Sequence, residues 1–254
     1  MMLTDKRFLN FIQDINQYFT GWDFSYITGT GRMQNQLLTW SYGSMARSLM
    51  QESKSMLDMG TGGGEFLSLL RPFPESVTAT EGYRPNVPIA RNRLEHLGVK
   101  VVEFDEDSNL PLENNQFDLI LNRHESYSPQ ELRRIITDKG IFFTQQVGGL
   151  DCSQINEHLG TPLNKEFSNW CLNEALKELK ENNFEILYST EEFPIQRFYD
   201  IGALVYYLKA IPWQIPDFDT DKYIEKLYKV HQIIESKGYF DVNQHRFIIK
   251  AKAI

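Results

Sequence analysis

Hydrophobic and polar positions follow two different rhythms along this chain, and the change comes near residue 56. Before that point, apolar residues recur at helical spacing, as Phe8, Ile12, Ile15 and Phe19 do. This spacing predicts an amphipathic helix close to the N-terminus. A second helix is predicted over about 33–52.

After residue 56, short strand-like runs alternate with helical or loop segments. These runs cover residues 56–59, 77–80, 100–104, 117–121, 141–146 and 184–189. Such alternation predicts βαβ units and a parallel sheet. Further helices are predicted near 86–97, 168–182, 200–210 and 222–237, and the last run, 247–254, is typical of a strand.

A glycine-rich loop follows the first of these strands. Residues 56–64 read Met-Leu-Asp-Met-Gly-Thr-Gly-Gly-Gly, so Asp58 precedes Gly60, Gly62 and Gly64 at alternate positions. Glycines adopt backbone angles closed to other residues and let a ligand approach the main chain. The loop leads into a helix whose first amides are free donors. We therefore expect a cofactor-binding turn.

Acidic residues stand at the ends of three successive strands. Asp58, Glu81 and Asp105 are separated by about one βα unit each. In a doubly wound sheet, ligands bind outside the carboxyl ends of the strands, so these acids are expected to face one crevice. A carboxylate at the end of the second strand suits the hydroxyls of a ribose, which assigns that role to Glu81.

The loop does not match the common phosphate-binding patterns. Glu65 takes the place of the third glycine of G-x-G-x-x-G, and its charge would repel a pyrophosphate. No G-x-x-x-x-G-K-[ST] motif occurs either. We therefore expect a cofactor that has a ribose, has no phosphate and is able to carry a positive charge. S-adenosylmethionine meets these three conditions.

Charge and composition narrow the class of partner. The chain has a net charge of −8, and residues 56–199 carry 13 Lys and Arg against 23 Asp and Glu. That field repels a phosphate backbone, so nucleic acid is not expected as the main partner. Two cysteines and the absence of a leader-like segment or long apolar run indicate a cytoplasmic protein without a membrane span.

At this point residues 56–147 resemble class I S-adenosylmethionine-dependent methyltransferases, in particular the type 11-like enzymes that act on small molecules. The loop from Asp58 to Gly64 matches the first motif of that family. Leu110-Pro111 and the run 115–120 resemble its approach to the fourth strand. The resemblance implies a doubly wound, mostly parallel seven-stranded α/β sheet. Its sixth strand would be 184–189, and its seventh, 247–254, would be inserted antiparallel.

The resemblance also implies a set of cofactor-binding residues. Glu81 would hold the ribose, Asp105 and Glu106 would lie near the adenine, and Asn122 near the methionine moiety. The full set is Asp58, Gly60, Thr61, Gly62, Gly64, Glu81, Gly82, Asp105, Glu106 and Asn122. The cofactor is then S-adenosyl-L-methionine and its product S-adenosyl-L-homocysteine.

Candidates on the substrate side are fewer. The chain departs from the Asn/Asp-Pro-Pro-Tyr/Phe motif of enzymes that modify exocyclic or amide nitrogens, and His124 lies beside the expected methyl donor. An imidazole can take a proton near neutral pH, so His124 is a candidate general base, or alternatively a loop histidine bonded to backbone or to Glu125. Tyr26 and Tyr199 are candidate substrate contacts, and no metal site is expected.

These inferences predict a helical cap at 1–55 and a cofactor-binding domain at 56–254, with a cap insertion at about 200–220. The expected reaction is methyl transfer to an oxygen, nitrogen or carbon of a small molecule by in-line displacement, in a monomer or homodimer. Methylation of RNA or protein remains an alternative, which requires a basic groove supplied by Arg123, Arg133 and Arg134. A non-catalytic cofactor-binding or interaction module is a further alternative.

Overall fold

A computed structural model describes residues 4–19 and 22–254. The chain divides into two compact units, each assembled from three separate segments. The seven-strand unit comprises Thr39–Val147, Cys171–Glu191 and Arg246–Ile254. The three-strand unit comprises Met1–Leu38, Gly148–Trp170 and Glu192–His245.

The described residues form helices and strands in regular alternation over the middle of the chain. The helices are α1 (Lys6–Phe11), α2 (Ser25–Thr28), α3 (Tyr42–Met50), α4 (Glu65–Leu69), α5 (Val87–Leu94), α6 (Pro129–Ile135), α7 (Ser153–Leu159), α8 (Leu172–Glu181), α9 (Ile201–Ala210) and α10 (Thr220–Lys237). The strands are β1 (Met33–Asn35), β2 (Ser55–Met59), β3 (Ser76–Glu81), β4 (Val99–Glu103), β5 (Phe117–Arg123), β6 (Ile136–Val147), β7 (Phe184–Glu192), β8 (Ile195–Phe198), β9 (Phe240–Asn243) and β10 (Arg246–Ala253). Short 3-10 turns extend α1 and α5.

The large sheet has the strand order β4-β3-β2-β5-β6-β10-β7. The pairs β2–β3, β3–β4, β2–β5 and β5–β6 are parallel, whereas β10 runs antiparallel to β6. The predicted fold, a mostly parallel seven-stranded sheet with an antiparallel strand near the C-terminus, is confirmed. The strand order reverses between β2 and β5, and this is where such sheets bind ligands.

Burial explains why these runs become strands. Four of the five residues of β2 and five of the six residues of β3 are buried, because helices cover both faces of a parallel sheet. On one face Tyr42 of α3 stacks on Phe143 of β6, with ring centroids 4.9 Å apart. This contact packs α3 against the large sheet.

The three-strand unit contains a small antiparallel sheet of order β1-β8-β9. Its core surrounds α9, in which nine of the ten residues are buried. Asp200 caps that helix by accepting a hydrogen bond from the Ala203 amide at 2.8 Å, and it also pairs with Arg32, which in turn pairs with Asp14. This ion network ties the N-terminal segment to α9.

The N-terminal part of the chain departs from the sequence prediction. The predicted helix over 33–52 is wrong in its first part, because residues 33–35 pair with β8 and α3 begins only at Tyr42. Ser41 marks that start, since its hydroxyl accepts a hydrogen bond from the Ser44 amide. The units also have different bounds from the predicted cap at 1–55 and insertion at 200–220. None of the helices in the described ranges is long and apolar enough to cross a membrane.

Candidate active site at the carboxyl end of the large sheet

The glycine loop forms a tight turn between β2 and α4. Gly60, Gly62 and Gly64 all have positive φ, at 62°, 62° and 78°. The Thr61 amide donates to the Thr80 carbonyl at 2.9 Å, which ties the loop to the end of β3. Since L-residues rarely adopt these angles, the alternate glycines are what permits this turn. Its backbone is therefore open to close approach by a ligand.

Asp58 stands at the start of this loop and is almost fully buried, with 8% of its surface exposed. Burial raises the pKa of its carboxyl to about 7, while the Thr61 hydroxyl and Arg123 oppose the shift and Glu81 adds to it. A buried carboxylate at neutral pH is costly without a partner. The site therefore favours a ligand that donates hydrogen bonds or carries positive charge.

Glu81 ends β3 on the same side of the sheet and is 5% exposed. Burial raises the pKa of this carboxyl, and the backbone amides of Tyr83 and Gly62 oppose the rise. One carboxylate oxygen accepts a hydrogen bond from the Tyr83 amide at 2.7 Å. This bond holds the side chain in place beside the glycine loop, at the strand end predicted to bind a ribose.

The predicted adenine contacts lie further out. Asp105 and Glu106 follow β4 and are exposed, and Asp105 forms an ion pair with Arg84 at 3.3 Å. Gly82 packs beside the Phe104 ring, where a Cβ would lie 3.1 Å from the nearest ring atom. Asp105 and Glu106 are thus exposed to solvent, whereas Asp58 and Glu81 are buried.

Asn122 lies inside the sheet at the carboxyl end of β5, next to Met59 of β2, and has no exposed surface. Its amide oxygen accepts hydrogen bonds from Thr144 at 3.0 Å and from Gln146 at 2.8 Å. Its amide nitrogen has no partner among the residues that the structure describes. A buried donor without an acceptor is costly, so this atom is a candidate ligand contact.

A chain of three side chains fixes the state of His124. The Trp40 indole nitrogen donates to Gln145 Oε1 at 2.8 Å, so the amide nitrogen of Gln145 faces His124 Nε2 at 2.9 Å. Because that amide nitrogen can only donate, Nε2 accepts and the ring proton belongs on Nδ1. His124 as a whole residue is exposed, yet burial of its imidazole and the charges of Arg246 and Arg123 hold its pKa well below the usual range.

Two features of the site escaped the sequence analysis. Glu125 packs its side chain against Gly60, and its pKa is raised to about 7, mainly by burial. Arg93 of α5 pairs with Glu65 and also donates to the Gly63 carbonyl, so the charge of Glu65 is balanced. Glu125 directly follows a singled-out residue, but no sequence signal shows which way its side chain turns.

The predicted substrate contacts belong to the three-strand unit. Tyr26 donates its hydroxyl to Asp14 at 3.1 Å, and its ring faces the Arg32 guanidinium at 5.4 Å. Tyr199 is 38% exposed and donates to the Gln34 amide oxygen at 2.9 Å. Both hydroxyls are engaged within their own unit, and their role toward a substrate stays a prediction.

Comparison with known proteins identifies one matching family. The family profile described as a methyltransferase domain matches residues 57–144, which run from β2 into β6. That segment contains the glycine loop, both buried acids and His124. Comparison with curated protein sequences gives no significant match.

Solved structures share the fold at low sequence identity. A candidate methyltransferase from Bacillus halodurans is 17% identical with a TM-score of 0.58, over 82% of this chain and 98% of that one. A functionally unknown protein from Deinococcus radiodurans is 11% identical with a TM-score of 0.60, over 98% and 100%. A geranyl diphosphate methyltransferase, solved in complex with SAM, is 15% identical with a TM-score of 0.50, over 84% and 85%.

Proposed function

We propose that this chain is a class I S-adenosylmethionine-dependent methyltransferase and that it methylates a small molecule at the carboxyl end of the large sheet. The match of residues 57–144 to a methyltransferase domain supports the enzyme class. The observation that carries the location is the pair of buried carboxylates, Asp58 and Glu81, on either side of a left-handed glycine loop. Polar groups that converge on a concave strand-end site are typical of small-ligand binding.

The residues at this edge fit the cofactor. Glu81 would accept hydrogen bonds from the ribose hydroxyls, and the glycine loop would lie against the amino-acid part of the ligand. The buried amide nitrogen of Asn122 has no partner in the described part of the chain, and a cofactor oxygen would satisfy it. Asp58 lies close enough to act on Glu81 electrostatically and would add negative charge opposite a cation.

S-adenosylmethionine supplies a methyl group that is already activated for displacement by its positive sulfur. The protein then has to align the acceptor with the methyl carbon and keep water away from it. Both tasks require a rigid protein surface, or wall, beside the methyl donor. The hydrogen-bonded ends of β5 and β6 would provide that wall.

At the ends of β5 and β6, His124 is the candidate for proton transfer. The hydrogen bond from Gln145 occupies its Nε2 atom and so limits that role. To accept a proton at Nε2, the ring must first release Gln145. In the bonded arrangement, the ring instead presents Nδ1–H as a donor that could orient the acceptor. The general-base role of His124 stays a prediction.

A small acceptor is favoured over RNA or an acidic protein by the position and the contacts of Arg133 and Arg134. Both lie in the last turn of α6, beside the start of β5 rather than its carboxyl end, since the Arg134 carbonyl accepts a hydrogen bond from the Asn115 amide. Arg133 pairs with Asp138 at 2.6 Å, and Arg134 pairs with Glu131 at 2.5 Å. Arg134 also donates to the carbonyls of residues 110 and 112. Both arginines thus have intramolecular partners, and a phosphate backbone would have to compete with those carboxylates.

The experiment is a transfer assay with labelled methyl groups. Purified protein and methyl-labelled S-adenosylmethionine are incubated with a cell extract that has been separated by size into metabolites and macromolecules. We expect label in the metabolite fraction and formation of S-adenosylhomocysteine. Label confined to RNA or protein would contradict the proposed acceptor class while leaving the enzyme class intact.

A further inference from the structure

The loop after β5 carries a carboxylate that the predicted set of cofactor contacts does not include. The Glu125 side chain lies directly against Gly60, so a Cβ at that position would overlap the carboxylate. A glycine is therefore required at position 60 for two reasons. Its backbone angle is left-handed, and a side chain there would overlap Glu125. The Glu125 carboxylate lies on the stretch of backbone that would face the cofactor.

Hydrogen bonds from β6 hold the backbone around Glu125 in the conformation that places its side chain against Gly60. His124 adopts a φ of 65°, an uncommon angle for a residue with a side chain. Its amide donates to the Gln145 carbonyl at 2.8 Å, and the Gln146 side chain donates to the Glu125 carbonyl at 3.0 Å. Gln146 also donates to Asn122, so β6 holds the turn on both sides. An uncommon backbone angle that is held by several hydrogen bonds is typical of a functional site.

The charged groups that act on Glu125 are negative, so its surroundings favour a cation. The two charged groups that act on it are Asp107, in the loop after β4, and Glu81, at the end of β3. Both are acids, and together with burial they raise the pKa of the Glu125 carboxyl to about 7. Ser126 donates to Asp107 and so ties the two loops together. A positive group in this space would relieve the repulsion between three carboxylates.

We propose that Glu125 is a cofactor-binding residue that pairs with the positively charged methionine part of S-adenosylmethionine, through its ammonium or its sulfonium. This inference rests on the proposed position of the cofactor over the glycine loop. A neutral nucleoside would satisfy Glu81 but would offer nothing to Glu125. The pair therefore contributes to the recognition of the charged end of the ligand.

The test is isothermal calorimetry on the full chain with three ligands and two variants. S-adenosylmethionine carries both cations, S-adenosylhomocysteine carries only the ammonium, and 5′-methylthioadenosine carries neither. In Glu125→Gln the affinity for S-adenosylmethionine should fall about 10-fold or more, because a charged hydrogen bond is lost. The affinity for 5′-methylthioadenosine should stay at the wild-type value. Glu113→Gln, the same change at an exposed residue before β5, should alter neither affinity.

The third ligand identifies the partner of the carboxylate. A parallel loss for S-adenosylhomocysteine supports a bond to the ammonium, and an unchanged value supports a contact with the sulfonium. Wild-type affinity of Glu125→Gln for S-adenosylmethionine would overturn the proposal, and so would an equal loss for all three ligands, which would indicate general damage to the pocket. If the wild type binds none of the three, the proposed cofactor site itself fails.

Discussion

At the residue scale, burial of the Asp58 carboxyl opposes folding at neutral pH, whereas the same carboxyl suits the proposed binding of a cation. Its carboxyl is buried beside Glu81, and its pKa is raised from 3.8 to about 7. The folded chain therefore binds more protons than the unfolded chain between about pH 4 and pH 7, and stability is lost as the pH rises through this window. A ligand with positive charge would recover part of that loss by binding only the folded state.

The variant Asp58→Asn separates the two effects. Without ligand it should be more stable than the wild type at pH 8, by about 1–3 kcal/mol, because a buried charge is removed. The difference should vanish near pH 4, and the affinity for S-adenosylmethionine should fall at pH 8. Urea unfolding at both pH values and calorimetry measure these quantities. Reduced stability at pH 8 would show that Asp58 supports the fold instead of opposing it.

At the element scale, the glycine loop is decisive because it sets how closely β2 and α4 approach their neighbours. Gly64 is the N-cap residue before α4 and has a φ of 78°, and a Cβ there would lie 2.7 Å from the Leu94 side chain of α5. Gly98 has a similar φ of 85°, but a Cβ there meets nothing within 4 Å. The two glycines thus share the backbone angle and differ in crowding and in distance along the chain from the loop.

This pair makes a matched test of the loop. Gly98→Ala should cost about 1–2 kcal/mol, the price of a left-handed alanine. Gly64→Ala should cost about 1–3 kcal/mol more because of overpacking, and it should weaken binding of S-adenosylmethionine. Urea unfolding and calorimetry on both variants give the comparison. If both lose equal stability and bind the cofactor as the wild type does, the loop does not form the site as proposed.

The elements also mark where sequence reasoning succeeds. The central strands β2, β3 and β5 were predictable because they are largely apolar runs buried on both faces, and such runs are visible without knowledge of their partners. The strands of the small sheet, three or four residues long, were missed because distant pairing stabilises them rather than any local pattern. The turn of the chain at His124 escaped prediction for the same reason, since β6 holds it.

At the scale of the whole molecule, three segments of chain meet to form each unit, so linear division of the sequence could not give their bounds. The candidate cofactor residues nevertheless lie close together in sequence, from Asp58 to Asn122, and all belong to the seven-strand unit. Their strand-end positions follow from the register of the parallel sheet. This is why the sequence proposes a full set of cofactor residues, which stay a prediction, and only a few candidates for the acceptor side.

The central claim is that S-adenosylmethionine binds over this loop, with its ribose on Glu81. A crystal structure of the protein with S-adenosylhomocysteine tests it most directly. We expect both ribose hydroxyls at hydrogen-bond distance from the Glu81 carboxylate, about 2.6–3.2 Å, and the amino-acid end of the ligand over Gly60. A ligand bound elsewhere, or a ribose held by other residues while Glu81 stays bonded only to backbone amides, would contradict the account.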